Sequence, residues 1–300
     1  MNLTKSATVA AKPDPNSKFM PFFEADSGHV QLSELPAGWE AAQNLHRLKK
    51  TLPDKALRLV TERALDAIIQ RAKTLLRHAA HPTHLVRSSW PEPGDLDLDA
   101  TLERPRQIPM RGQKAPWRPE DIVVSRQEPR DADVVAILDM SLSMTGEKIA
   151  LVAVAAAILR MKLESVSIVA FDTNAHVLVR LGEKLPIREL VRRILMVPAQ
   201  GYTHISAGLE AGLEQLQRSG KRERVGLLLS DGISNVGWDP VRVAKRYPTL
   251  HVVQLGRDLP QGSRACRGMA QAGRGRRFHA PTYVALPGVV KRVIREVFRV

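Results

Sequence analysis

Residues Val134-Val135-Ala136-Ile137-Leu138 run without a polar interruption into Asp139-Met140-Ser141-Leu142-Ser143, and an Ala-rich apolar stretch of helix length, Ile149–Met161, follows. Five consecutive apolar residues with no alternation describe a strand buried on both faces. The same texture returns at Val166–Phe171, Val225–Leu229 and Leu250–Leu255. Between these runs, helical stretches fall at Ile187–Met196 and at Ile205–Leu216, the second carried by Ile205, Leu209, Leu213 and Leu216. Pro287–Val300 closes the chain as a helix with its proline in the first turn. Ala175–Val179 reads as an antiparallel edge strand. Buried strands alternating with helices predict an α/β fold, a doubly wound and mostly parallel sheet flanked by helices.

Outward from this core the pattern changes. Residues 1–36 contain Pro13, Pro15, Pro21 and Pro36 with little apolar periodicity, and read as a flexible arm. Residues 37–88 read as a smaller helical region. One helix is expected around Glu40–Lys50. A second is carried by Leu57, Val60, Ala64, Ile68, Ala72 and Leu75 and ends near His81, before Pro82. Residues 89–130, rich in Pro, Gly, Asp and Arg, read as a connector with short strands such as Ile122–Ser125. The αβ domain occupies 131–300.

Composition narrows the function classes. The chain has 300 residues, 44% of them hydrophobic and 25% charged, the balance of a globular protein. Its single cysteine, Cys266, excludes an intrachain disulfide. The longest apolar run, Ile149 to Leu159, is about half of the ~20 residues that a membrane-spanning helix needs. With no long apolar stretch in the first residues, these features predict a cytoplasmic protein that does not enter membranes. The net charge of +14 points to an acidic or polyanionic partner. Within 131–300 there are 25 Lys and Arg residues against 15 Asp and Glu, so much of the excess belongs to the αβ domain.

Ligands of doubly wound folds sit beyond the carboxyl ends of the strands. At those ends the sequence places Asp139, Ser141 and Ser143 after the first strand and Asp231-Gly232 after the strand Gly226–Ser230. Between them, Gly201-Tyr202-Thr203 precedes a helix. Two carboxylates and three hydroxyls, without His or Cys, suit a hard cation: Mg²⁺, or else Mn²⁺ or Ca²⁺. With only two formal charges facing it, such an ion keeps its electrophilicity and is completed by water or by a partner's carboxylate.

The order Asp139-x-Ser141-x-Ser143, then Thr203, then Asp231-Gly232 resembles the metal-ion-dependent adhesion site (MIDAS) of a von Willebrand factor type A (VWA) domain, over about residues 131–300. The resemblance implies that Ser141, Ser143 and Thr203 are direct ligands, Thr203 depending on conformational state, and that Asp139 and Asp231 act mostly through water. The chain departs from the family pattern at Leu142 and Tyr202, where glycine is usual; neither change removes a ligand, and both bear on affinity or on what docks. Upstream, Leu96-Asp97-Leu98-Asp99-Ala100-Thr101-Leu102 and Pro119-Glu120-Asp121-Ile122-Val123-Val124 resemble bacterial CoxE-like proteins, over about 95–145. That resemblance implies work alongside a MoxR-type AAA+ ATPase.

Other motifs carry less. Asp97-Leu98-Asp99-Ala100-Thr101 fits the nucleophile motif of haloacid-dehalogenase phosphatases but lacks the hydrophobic strand before it. The same stretch fails as an EF-hand, with Ala100 at the glycine position and Arg106 in place of the bidentate Glu. His78, His81 and His84 are spaced for zinc, though Pro82 interrupts the helix they would share. Cys266, between Arg264 and Arg267, reads as a packed thiol, and His204 as the first turn of a helix bordering the rim. No GxxxxGK[ST] motif is present, so the chain is not itself a P-loop ATPase. Basic clusters at Lys221-Arg222-Glu223-Arg224, Arg274-Gly275-Arg276-Arg277 and Arg292/Arg295/Arg299 have no interleaved aromatics for stacking nucleic acid.

These readings predict a non-catalytic, metal-dependent adaptor. Its protein partner offers an Asp or Glu to the metal and is a MoxR-type AAA+ ATPase or the client that such a motor remodels. The rival expectations are a non-ATPase subunit of a metal-chelatase-like complex and a basic nucleic-acid-binding protein.

Overall fold

The computed structural model describes residues 35–49, 51–77, 83–104, 118–129, 132–141, 146–198 and 201–297; the arm expected over the N-terminal residues lies outside them. Pro36–Val300 groups as one unit. Its centre is a six-stranded sheet built from β4 (Ala132–Asp139), β5 (Ser165–Phe171), β6 (Ala175–Val179), β7 (Glu223–Ser230), β8 (Thr249–Leu255) and β9 (Arg274–Ala280). The strand order is β6-β5-β4-β7-β8-β9. All pairings are parallel except that of β5 with β6, the antiparallel edge. Every residue of β4 is buried, which accounts for its unbroken apolar run.

Helices α6 (Ile205–Gln217), α7 (Pro240–Ala244) and α8 (Pro260–Ala272) cover one face of the sheet. Leu209, Leu213, Val243 and Met269 meet Ile137, Val169, Leu228 and Val252 there. Tyr247 is fully buried in this layer, and its hydroxyl donates to the Leu209 carbonyl. Its ring passes close to two glycines: a Cβ at Gly226 would lie 2.6 Å from the ring, and one at Gly212 would lie 2.7 Å from the hydroxyl.

The opposite layer is deeper. Helix α4 (Glu147–Lys162) touches β5 and is flanked by α5 (Ile187–Met196) and α9 (Leu286–Val297). Outside it lie α1 (Gly38–Leu48) and α2 (Asp54–Leu76); α2 packs on α4, α5 and α9, and α1 on α4. Ile149 to Leu159 are therefore buried on every side, which explains a helix with no polar stripe. Glu62 and Asp66 of α2 pair with Arg188 of α5, and Glu62 also with Arg192 at 2.8 Å. The Trp39 indole donates to Glu147 at 3.2 Å, tying α1 to the start of α4.

A separate three-stranded antiparallel sheet, ordered β1-β3-β2, comprises β1 (Thr83–Ser89), β2 (Asp95–Leu96) and β3 (Val123–Pro129). The short helix α3 (Leu98–Glu103) follows β2 and is capped by the Asp97 carboxylate, which accepts from the Ala100 N–H at 3.0 Å. The capping role accounts for an Asp in a stretch that mimics a phosphatase motif. Two further differences from the sequence reading stand out. Helix α2 ends at Leu76 rather than near His81. The basic run from Arg274 is edge strand β9: Arg274 donates to the Tyr247 and Pro248 carbonyls, Arg276 is exposed, and Phe278 and Ala280 are buried. Among the described residues no helix is long and apolar enough to cross a membrane.

Two outcomes follow from this packing. A fragment of residues 131–300 exposes the outer face of α4, and is expected to aggregate or to bind a hydrophobic dye where the full chain does neither. A soluble fragment with a cooperative urea transition would contradict this. His251 is pushed down to about 4 by burial, with Arg276 adding to the effect, and its Nδ1 accepts from the Arg276 N–H at 3.0 Å. The folded protein holds it neutral, so its contribution to stability is complete above its unfolded value near pH 6.5 and is lost as pH falls towards 4. The difference in Tm between wild type and His251→Asn, followed from pH 7.5 to 4.5, should shrink across that window.

Candidate metal centre

The register of the parallel strands decides which side chains meet. Leu138 of β4 lies opposite Leu229 of β7, so one step further along Asp139 reaches Ser230, and Asp231 follows at the same rim. The contacts agree: the Ser230 hydroxyl donates to Asp139 Oδ2 at 2.8 Å, and the Ser141 N–H donates to Oδ1 at 3.1 Å. Ser230 in turn accepts from the Gly232 N–H at 3.1 Å, so one buried hydroxyl braces both carboxylate-bearing loops. Asp231 Oδ1 accepts from the Ile233 N–H at 2.9 Å, which fixes the start of the second loop.

Thr203 arrives from a third segment. Its side chain is buried at the N-terminus of α6. Its carbonyl accepts from the Asn235 N–H at 3.0 Å and the Ser234 hydroxyl at 3.1 Å, both on the loop that begins with Asp231. From the other side, the Tyr202 N–H donates to Thr173 Oγ1 at 2.8 Å and the His204 N–H to the Asp172 carbonyl at 2.9 Å. Thr203 is thus held between the loops leaving β5 and β7. The His204 ring stands edge-on to Trp238, with centroids 5.1 Å apart.

Of the five candidate ligands, Asp139, Ser141, Thr203 and Asp231 gather at this rim, three of them buried and Asp231 partly so. Ser143 and the neighbouring Leu142 lie outside the described residues. Burial pushes the Asp139 carboxyl up to about 6, against the pull of its hydrogen bonds from Ser141 and Ser230, and the nearby Asp231 charge adds to the rise. Burial likewise raises Asp231, partly offset by Lys148. A buried carboxylate beside a partly buried one is a costly arrangement that positive charge relieves, and Lys148 supplies some of it.

Several residues at the rim were not singled out by sequence reasoning. Ser230 hides inside an apolar strand run. Lys148 stands 5.0 Å from the centroid of the Tyr283 ring, and both lie close enough to Asp231 for their charges to interact. No motif announces this pair, because its members are far apart in the chain and meet only when α4 docks beside the short turn Tyr283–Ala285 after β9. Cys266, pushed up to about 12 chiefly by burial, is a packed thiol beneath the Asp231 loop. His78 and His81 lie outside the described residues, and His84 sits on β1. Among the described residues no group of three His, Cys, Asp or Glu side chains could hold a metal, so an ion here must draw on hydroxyls. The basic clusters are partly paired: Lys221 with Asp133, Arg277 with Asp258 and Arg292 with Glu296.

The family model described as VWA domain containing CoxE-like protein matches residues 71–243, more than half of the chain. Among solved structures, proximal thread matrix protein 1 from the mussel byssus aligns at 18% identity with a TM-score of 0.47, over 54% of this chain and 47% of that one. A structure of the same mussel protein with a zinc occupied MIDAS motif aligns at 17% identity and 0.46, over 54% and 47%. BatB from Bacteroides thetaiotaomicron aligns at 14% and 0.47, over 56% of this chain and 100% of that one. A von Willebrand factor type A protein from Catenulispora acidiphila aligns at 18% and 0.48, over 59% and 45%. This chain therefore spans just under half the length of the mussel protein. No curated protein matches it.

Gly232 is the backbone position on which the second loop turns. Its φ is +82°, and a Cβ there would lie 2.5 Å from the Gly262 carbonyl oxygen and 2.6 Å from Cys266 Sγ. Gly232→Ala is expected to cost about 2–4 kcal/mol, from left-handed backbone strain and overpacking together. Urea denaturation checks this; a loss below ~0.5 kcal/mol would show that the loop tolerates a side chain at this turn.

Proposed function

The chain belongs to the family of VWA domain containing CoxE-like proteins, and from that premise we propose that it is a non-catalytic, metal-dependent adaptor acting on another protein. The observation that carries this reading is the buried Asp139 and the partly buried Asp231 at the ends of two adjacent parallel strands, both raised by burial, with the Asp231 charge acting on Asp139. The residues fit a hard divalent cation. All the donors are oxygens, the ligand groups come from three separate loops, and the negative charge at the rim exceeds what Lys148 offsets.

Ser141, Thr203 and the neighbouring Ser143 would hold the ion directly, with Asp139 and Asp231 behind them, and Mg²⁺ is the first choice ahead of Mn²⁺ and Ca²⁺. When bound, the ion supplies a Lewis-acidic position that a carboxylate from outside can fill. The chain's own residues do the rest. Ser230 and the Ser141 N–H orient Asp139, Ser234 and Asn235 hold the Thr203 backbone, and the two loops stay at a fixed distance because β4 and β7 are paired. A centre with so little protein charge binds its ion modestly and keeps its affinity for an incoming carboxylate.

The partner we propose is a MoxR-type AAA+ ATPase or the client protein that such a motor remodels, offering an Asp or Glu at its contact surface. The helices α1 and α2, packed over α4, provide a second surface for the same assembly. We also place the protein in the cytoplasm, in keeping with one buried thiol and no disulfide.

Saturating Mg²⁺ or Mn²⁺ should raise the Tm of the wild-type protein by about 2–4 °C or more, a shift that Asp139→Ala and Asp231→Ala lose. Binding of a candidate MoxR-type ATPase should fall at least tenfold in EDTA and in the same variants. Affinity indifferent to chelator and to Asp139→Ala would overturn the metal-bridge reading.

A further inference from the structure

Large exposed hydrophobic side chains are unevenly distributed over the layers built on the six-stranded sheet. Among the described residues, Val177 lies on β6 and Met196 at the end of α5, whereas Tyr202, Trp238, Leu259 and Val284 all lie in segments that follow the carboxyl ends of strands or precede α6. Tyr202 is 68% exposed and Trp238 49% exposed, in a chain with only 4% aromatic residues. Neither is loosely placed. The backbone of Tyr202 is anchored on Thr173, and the Trp238 ring is set edge-on against His204. These two aromatics therefore flank Thr203 through the residues on either side of it. Lys148 is held over the Tyr283 ring, close enough to Asp231 for its charge to act there.

We infer that this rim selects a partner segment in which an Asp or Glu stands next to a bulky apolar residue. The inference rests on the metal-bridge reading and adds the chemistry of what docks. With a divalent cation in place the two aspartates are neutralised, and a carboxylate is the complementary group for the ion's open position. A carboxylate alone would leave Tyr202 and Trp238 in water. An apolar side chain beside it buries them, and Tyr and Trp are the residues from which interface affinity is most often drawn. This arrangement assigns a role to Tyr202, a departure from the usual glycine, as a contact for the partner rather than a defect in the site.

The probes are fluorescein-labelled nonapeptides with a single central acidic position: Leu-Asp-Leu, Ser-Asp-Ser and Leu-Asn-Leu in an otherwise Gly/Ser sequence. Anisotropy is measured on the full chain in saturating Mg²⁺ and in EDTA. The wild type should bind the Leu-Asp-Leu peptide about tenfold more tightly than Ser-Asp-Ser. Tyr202→Ser with Trp238→Ser should abolish that preference while keeping the Mg²⁺-induced rise in Tm, which also shows that the variant is folded. Tyr202→Phe with Trp238→Phe should retain the preference. Mg²⁺-dependent binding with equal affinity for Leu-Asp-Leu and Ser-Asp-Ser overturns this inference alone. Leu-Asp-Leu binding unchanged in EDTA, or matched by Leu-Asn-Leu, overturns the metal-bridge reading instead. Absence of binding to every peptide up to ~1 mM, with the Mg²⁺-induced Tm rise present, overturns the inference and leaves the metal centre standing.

Discussion

Two carboxylates taken out of water side by side cost free energy unless something positive joins them. Asp139 and Asp231 are in that position because β4 and β7 pair in parallel and end level with each other. Everything else at the rim can be understood as managing this repulsion. Ser230, the Ser141 N–H and the Ile233 N–H supply hydrogen bonds to the charged forms. Lys148 supplies part of the countercharge. A sheet with a single strand ending in Asp would have no such tension and no comparable use for a cation.

The same economy appears in the way the loops are braced. Thr203 sits at the start of α6, and its carbonyl is bonded by the loop that carries Asp231. The side chain that would meet the ion is thereby linked through its backbone to the segment supplying a carboxylate. Neighbouring aromatics are set by the same contacts, Tyr202 through Thr173 and Trp238 through His204. A shift of any one loop is felt by the others, because the links are direct hydrogen bonds and ring contacts rather than water or long flexible side chains.

The sequence conveyed the six-stranded architecture unevenly. Strands β4, β5, β7 and β8 were legible because burial on both faces leaves continuous aliphatic runs, and α4 because its length and Ala content match a helix. Strand β9 was not legible: Arg274, Arg276 and Arg277 occupy positions near an edge, and only Phe278 and Ala280 carry the apolar signal. Helix α8 was hidden by its own composition, since Pro260-Gln261-Gly262-Ser263 opens it with small and polar residues that fit closely under the Asp231 loop. At the centre, order and spacing single out Asp139, Ser141, Thr203 and Asp231 as candidate ligands. They do not single out Ser230, Lys148 and Tyr283, because their relation to the carboxylates is created by tertiary packing between segments distant in the chain.

The layering around α4 has a mechanical side. Its first residue, Glu147, comes eight positions after Asp139 in the chain and is bonded to Trp39 of α1, while α2, α5 and α9 enclose the helix. A surface helix could slide like a piston when the preceding loop rearranges, at the cost of a few solvent contacts. Here the shaft is sleeved on all sides, so a stroke along its axis must drag the N-terminal pair with it or shear a close-packed aliphatic interface. Motion that starts beside the carboxylates is thus either absorbed within a few residues or delivered, as a rigid displacement, to the far surface of the molecule.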